Sequence, residues 1–210
     1  MTADAAMLQR IRTALHPVAQ VPQGAAWNIE ELDGLLPEDV PLRPAAVLLG
    51  LVPRDGVLSV VLTLRNDGLR HHAGQVSFPG GRIEPDDAGP LAAALREAHE
   101  EIALEPGKAH PLGWLDPLAT ITGFRVVPLV AVLDADTTFA PDPGEVASVF
   151  EVPLVHLLEP SNLRRVTIQF RGRPRHVLEY VPHDGGARIW GATASMLQNF
   201  IDRLHRAAAA

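Results

Sequence analysis

Apolar residues along the chain follow two rhythms, and the change from one to the other marks out the elements. Over residues 5–15 they recur at helical spacing, and a Pro- and Gly-containing passage then leads to a second helical turn over 27–32. After Pro44 the pattern turns to Val- and Leu-rich runs, which predict strands over 46–51, 58–64 and 74–78. A helix follows. Further strands are predicted over 110–114 and 126–132, and the alternation of 165–170 predicts a strand that pairs with 177–181 as a hairpin. A helix over 193–204 closes the chain. Helices before, within and after the strands, without an internal repeat, predict one α/β domain over 1–210, with 1–40 as a helical extension that caps it.

The helix in the middle carries the most informative pattern. Leu91, Leu95, Ala98 and Ile102 form a narrow apolar stripe, and Glu97, Glu100 and Glu101 fall within one arc of about 100°, roughly 140° away. The acids are therefore expected to face outward or into a cleft. One reading is a solvated acidic face, but like charges at these spacings destabilise a helix by roughly 0.2–0.5 kcal/mol per pair, and acids in a last turn oppose its dipole. Arg96 relieves Glu100 at i+4 and cannot neutralise all three. A magnesium ion would, because it takes one or two protein carboxylates and completes its shell with water and phosphate oxygens. The helix is entered through a loop with the pair Gly80-Gly81, free to adopt backbone shapes closed to other residues, and Pro90 suits a first helical turn.

A strand, a Gly-Gly loop and a helix bearing R-E-x-x-E-E, in that order, resemble the Nudix hydrolase signature G-x5-E-x7-R-E-U-x-E-E-x-G-U, with U aliphatic. Arg96, Glu97, Glu100, Glu101 and Leu104 match its second half; Ala98 takes the aliphatic position and Ala103 the glycine position. Gly81 aligns when the loop is one residue longer. Upstream, residues 61–81 resemble the coenzyme A pyrophosphatase motif L-L-T-x-R-[SA]-x3-R-x3-G-x3-F-P-G-G. Arg65, Arg70, Gly74 and the closing Phe78-Pro79-Gly80-Gly81 fall at the right offsets, Val61 replaces a leucine and Asn66 the small residue. That branch carries the longer loop, and the passage from Ile189 to Ala194 is a further family-like feature.

The resemblance implies an α/β/α sandwich around a mixed β-sheet, with a short N-terminal helical cap. It implies Mg2+ or Mn2+ on Glu97 and Glu101, with Glu100 as a further ligand or base and Arg96 orienting the carboxylates. Arg65 and Arg70 are expected to bind substrate phosphate through planar guanidinium forks, with Gly80 and Gly81 beside them. His71 and His72 extend this basic run, for which surface solubility is the alternative. Glu145 precedes a Val-Pro-Leu segment, where Nudix enzymes often place another metal ligand or general base; the other reading is an exposed glutamate before an apolar strand. The implied reaction is hydrolysis of coenzyme A or acyl-coenzyme A to (acyl-)4′-phosphopantetheine and adenosine 3′,5′-bisphosphate. ADP-ribose or a dinucleotide as substrate, and a noncatalytic nucleotide-binding module, stay open.

Composition narrows the partners. A net charge of −7 gives no global field for nucleic acid or an acidic membrane, so a phosphate substrate is drawn by metal and local basic groups. The absence of cysteine removes disulfides and thiol nucleophiles, and the lack of a leader pattern or a long apolar run leaves a cytoplasmic enzyme as the expectation.

Overall fold

A computed structural model describes residues 3–32, 34–36, 40–66 and 74–209. In chain order its elements are α1 (Ala3–Ala14), β1 (Arg43–Arg54), β2 (Val57–Arg65), β3 (Val76–Ser77), β4 (Gly80–Arg82) and α2 (Pro90–Ile102). They continue with β5 (Ala109–Trp114), β6 (Leu118–Ala119), β7 (Phe124–Leu133), β8 (Val146–Pro153) and α3 (Leu154–Leu158). The chain ends in β9 (Leu163–Phe170), β10 (Arg173–Tyr180), β11 (Ile189–Trp190) and α4 (Gly191–Ala209).

β1 organises the main sheet. It runs parallel to β7 from the Arg43–Phe124 pair to the Leu51–Val132 pair, and its other edge is shared by two antiparallel strands, β4 at its start and β2 at its end. β2 also pairs with β3 and β8, and β7 with β5 and β6, so the sheet is mixed. Side chains alternate along β1 and supply two cores. Ala46, Leu48 and Val52 pack with Ala94, Ala98 and Ile102 of α2; Leu49 and Leu51 pack with Ile11, Leu197, Phe200 and Leu204 of α1 and α4. Helices on both faces of the sheet make the expected α/β/α sandwich. Among the described residues no helix is long and apolar enough to cross a membrane.

The structure shortens one predicted strand and lengthens others. β3 holds only two residues, because the chain turns at Gly80 (φ 148°) to start β4. The predicted hairpin forms with Arg165 opposite Leu178, and it closes through Arg171 (φ 49°) and Gly172 (φ 74°), the left-handed pair of a tight hairpin turn. β4, β6 and β11 are too short to carry a periodicity.

Candidate active site

α2 begins behind Gly89 (φ 119°) with Pro90 in its first turn and ends at Ala103, which adopts left-handed geometry (φ 55°). The face it buries differs from the predicted stripe. Ala93, Ala94, Ala98, Ile102 and Glu101 are buried, whereas Leu91 and Leu95 are only half-buried, so the acids do not simply face outward. Small alanines let the helix lie close on β1, rolled toward the glycine strand. A Cβ on Gly81 would stand 2.5 Å from Glu97 Oε1, and one on Gly80 would stand 2.5 Å from the Ala46 carbonyl oxygen. Gly81 thus makes the space that the Glu97 carboxylate occupies, and Gly80 lets β4 lie close on β1.

Glu101 sits at the centre, with its side chain 3% exposed. The Gly80 N–H donates to Oε2 (3.0 Å) and Arg65 Nη1 donates to Oε1 (3.1 Å). Burial pushes its pKa up; the Gly80 N–H and Arg65 pull it back, and the nearby Glu97 and Glu145 add to the rise, which leaves it at about 7. Glu97 is also raised, chiefly by burial, with Arg96 opposing and Glu100 and Glu145 reinforcing.

Arg96 braces this cluster from the side. Its Nε and Nη2 donate to the two oxygens of Asp87 (2.9 Å each), Nη1 bridges Glu97 (3.1 Å) and Glu100 (3.0 Å), and Nη2 also reaches the Arg82 carbonyl oxygen (3.1 Å). The Arg96 fork holds the Asp87 carboxyl below its ordinary range. Asp87 is a functional neighbour that sequence reasoning missed. Its signal is an acid three residues before Pro90, facing an arginine with more donors than Glu97 and Glu100 can fill.

Glu145 arrives on a strap fastened at several points. Ala140 N–H and Asp142 N–H donate to the carbonyls of Ile102 and Glu101 (3.0 and 2.9 Å), and Asn66 bonds the Glu145 carbonyl through its N–H (2.9 Å) and the Pro143 carbonyl through Nδ2 (2.8 Å). Asn66, which departs from the motif's small residue, thus supplies two of the strap's fastenings. The Glu145 carboxylate is half exposed, 3.8 Å from Arg65 Nη2.

Arg65, Gly80, Gly81, Glu97, Glu101 and Glu145 therefore meet in one cluster, with Arg96 alongside. Glu100 stands at the rim, 56% exposed and tied to Arg96. Arg70, His71 and His72 lie outside the described residues. Among the described residues no three acidic or imidazole side chains form a ready-made metal cage. Magnesium does not require one, since a pair of carboxylates suffices alongside water and phosphate; Glu97 and Glu101 are the pair that could hold it. His99 lies beside the Leu104 carbonyl (Nδ1 to O, 3.1 Å), a local contact at the helix end.

Comparison with known proteins bears on the family and the fold. The NUDIX domain family matches residues 41–170. The uncharacterized Nudix hydrolase NudL of Enterobacter sp. (strain 638) is 41% identical over 157 residues, covering 74% of this chain and 80% of that protein. Its counterpart in Yersinia pestis (strain Pestoides F) is 38% identical over 162 residues, covering 77% and 80%. Among solved structures, the MutT protein from Methanosarcina mazei Go1 superposes with a TM-score of 0.52 at 18% identity, over 83% of this chain and 100% of that one. An Ap4A hydrolase binary complex from C. elegans gives 0.50 at 15% identity, over 79% and 96%. At these identities the two structures bear on the fold alone.

Proposed function

Since the chain belongs to the Nudix hydrolase family, and so acts on diphosphate derivatives of nucleosides, we propose that its substrate is coenzyme A or an acyl-coenzyme A. The products are (acyl-)4′-phosphopantetheine and adenosine 3′,5′-bisphosphate. The observation that carries this reading is Arg65. It belongs to the coenzyme A-like stretch 61–81, yet it donates to Glu101 and reaches Glu145, so that stretch and the acidic helix share one cluster. The reading takes residues 1–210 as one catalytic unit capped by 1–40 and working in the cytoplasm.

Magnesium or manganese bound here would neutralise the diphosphate and acidify the attacking water. The donors fit such an ion, because the pKa values of the half-buried Glu97 and the buried Glu101 are both raised by burial and by neighbouring glutamates, with Arg96 opposing at Glu97 and the Gly80 N–H and Arg65 opposing at Glu101. Glu97 and Glu101 would hold the ion, and Glu100 would supply a further oxygen from the rim. Glu145 accepts the proton of the attacking water, with Glu100 and Glu101 as the other carboxylates in reach of that task. Arg96 bridges and orients Glu97 and Glu100. Arg65 and Arg70 bind substrate phosphate, and Gly80 and Gly81 line the substrate site.

The test is a comparison of coenzyme A, ADP-ribose and a dinucleotide, each with and without magnesium, in wild type and Glu145→Gln. Coenzyme A should be the best substrate, only with metal, and the variant should lose about 100-fold in kcat with little change in KM. Faster turnover of ADP-ribose or the dinucleotide would remove coenzyme A as the substrate. Full activity of Glu145→Gln would return that residue to the loop.

A further inference from the structure

Several buried or half-buried arginines of this protein are spent on its own acceptors. Arg54 grips Glu151 and the Thr137 carbonyl, Arg96 is saturated as described, and Arg125 donates to the Pro22 and Gly24 carbonyls. Arg43 and Arg82 differ. Both are exposed, and among the described residues neither makes an ion pair in a chain of net charge −7. Among the described residues the Arg43 guanidinium makes one hydrogen bond, from Nη2 to the Thr122 carbonyl (2.9 Å), and the Arg82 guanidinium makes none.

The fold nevertheless brings these two charges to one place. Arg82 on β4 pairs with Ala45 on β1, and Arg43 on β1 pairs with Phe124 on β7, so all three side chains leave the same face of three adjacent strands. The Arg43 guanidinium carbon lies 4.0 Å from the Phe124 ring centre and that of Arg82 lies 5.6 Å from it. Two like charges directed at one ring, with no acid paired to either among the described residues, form a site that an anion would complete.

Its position relates it to the hydrolytic cluster. Arg82 directly follows Gly81, against which the Glu97 carboxylate packs, and Arg96 fixes the Arg82 carbonyl oxygen. Two residues of extended strand, roughly 7 Å, separate Arg82 from Gly80, whose N–H holds Glu101. Arg43 and Arg82 leave the sheet on the face opposite α2, and β4 pairs only with β1 among the described residues, so a ligand whose diphosphate lies at Glu97 and Glu101 would cross the other edge of this short strand to present a second phosphate at the pair.

We propose that Arg43 and Arg82, set over Phe124, bind a phosphomonoester of the substrate that lies outside the cleaved diphosphate. The inference rests on the reading of the cluster as a diphosphate hydrolase site. It makes the arginine pair a determinant of specificity, discriminating nucleotides with an extra ribose phosphate from those without one. Bidentate guanidinium forks from two sides suit a dianionic phosphate.

The test measures kcat/KM for coenzyme A and for dephospho-coenzyme A, which lacks the ribose phosphate, in wild type, Arg43→Ala and Arg82→Ala. Each substitution should lower the preference for coenzyme A by about tenfold to a hundredfold, through KM, while dephospho-coenzyme A turnover stays within about twofold of wild type. Equal losses on both substrates, or no loss on coenzyme A, would overturn the assignment. Calorimetric titration with adenosine 3′,5′-bisphosphate and adenosine 5′-monophosphate separates this inference from the hydrolase reading. Tighter binding of the bisphosphate that is lost in Arg82→Ala supports the site even where coenzyme A is not cleaved. Equal affinity for the two nucleotides in wild type overturns it even where coenzyme A is cleaved.

Discussion

Two carboxylates on opposite sides of the sheet, the buried Glu101 and the half-buried Asp116, are driven in opposite directions by their surroundings. Asp116 lies at the end of β5, where Oδ1 meets His16 Nε2 (2.7 Å) and Arg203 Nη1 (2.8 Å) and Oδ2 accepts from Asn199 Nδ2 (3.0 Å). Burial pushes its pKa up, but His16, Asn199 and Arg203 outweigh it and hold it at about 2. Glu101 is more deeply buried, has one N–H and one arginine, faces two other glutamates, and stands at about 7. The first carboxylate is a finished knot that ties the end of α1, β5 and α4 together. The second is a charge whose neutralisation the protein leaves incomplete, and such groups cluster where chemistry is done.

The largest expected effect lies on the unfinished side. Glu97→Gln and Glu101→Gln should each lower turnover by at least about 100-fold, since a charge-bearing ligand is lost with its shape retained. Stability should move the other way. The folded state holds the Glu101 carboxyl protonated up to about 7, against an ordinary value of 4.5. It therefore binds more protons than the unfolded chain between these values, so metal-free stability falls as pH rises through that window and is level above it, a change on the order of 2–3 kcal/mol. Urea melts in chelator at pH 5 and 8 should show this loss in wild type and not in Glu101→Gln. Wild-type turnover in both variants would remove α2 from the mechanism.

Asp116 should give the mirror image. Asp116→Asn should cost about 1–3 kcal/mol in folding, through weakened charge-assisted bonds to Arg203 and His16, and leave kcat of the folded enzyme unchanged. Because its folded pKa is depressed, its contribution is complete above the unfolded value near 3.8 and is lost as pH falls toward about 2. A loss of kcat comparable to that of Glu101→Gln would show that the knot serves the reaction and would dissolve the contrast.

The two sides also differ in how far the sequence exposed them. Glu97, Glu100 and Glu101 sit within one helical turn and a half, so local spacing reveals them, and the Gly80-Gly81 pair and Arg65 lie in continuous motifs upstream. The roll of the helix was not legible, because it depends on Gly81 leaving room for a carboxylate and on alanines that admit either face. The knot was invisible: His16, Asp116 and Arg203 are separated by 100 and 87 positions, and no periodicity connects them. The strands that carry long runs were readable, whereas β4, on which the site hangs, has three residues and forms only because β1 offers it an edge.

The smallest effect concerns the joint between helix and strap. Ala103 holds a left-handed conformation (φ 55°, ψ 29°) at the position where the Nudix signature has glycine, and its N–H bonds the His99 carbonyl (2.9 Å). A side chain in this region costs roughly 1 kcal/mol, but glycine would return about 0.4–1 kcal/mol by loosening the unfolded chain. Ala103→Gly should therefore change stability by no more than about 0.5 kcal/mol, a shift of at most about 2 °C in Tm for a chain of this size. Turnover should not change, because Glu101 is fixed by Gly80 and Arg65 and not by the cap. A thermal melt and an initial-rate assay decide it. A fall in kcat without a fall in Tm would mean that the helix end sets the position of Glu101, and the incomplete neutralisation of that charge would then be a consequence of the cap.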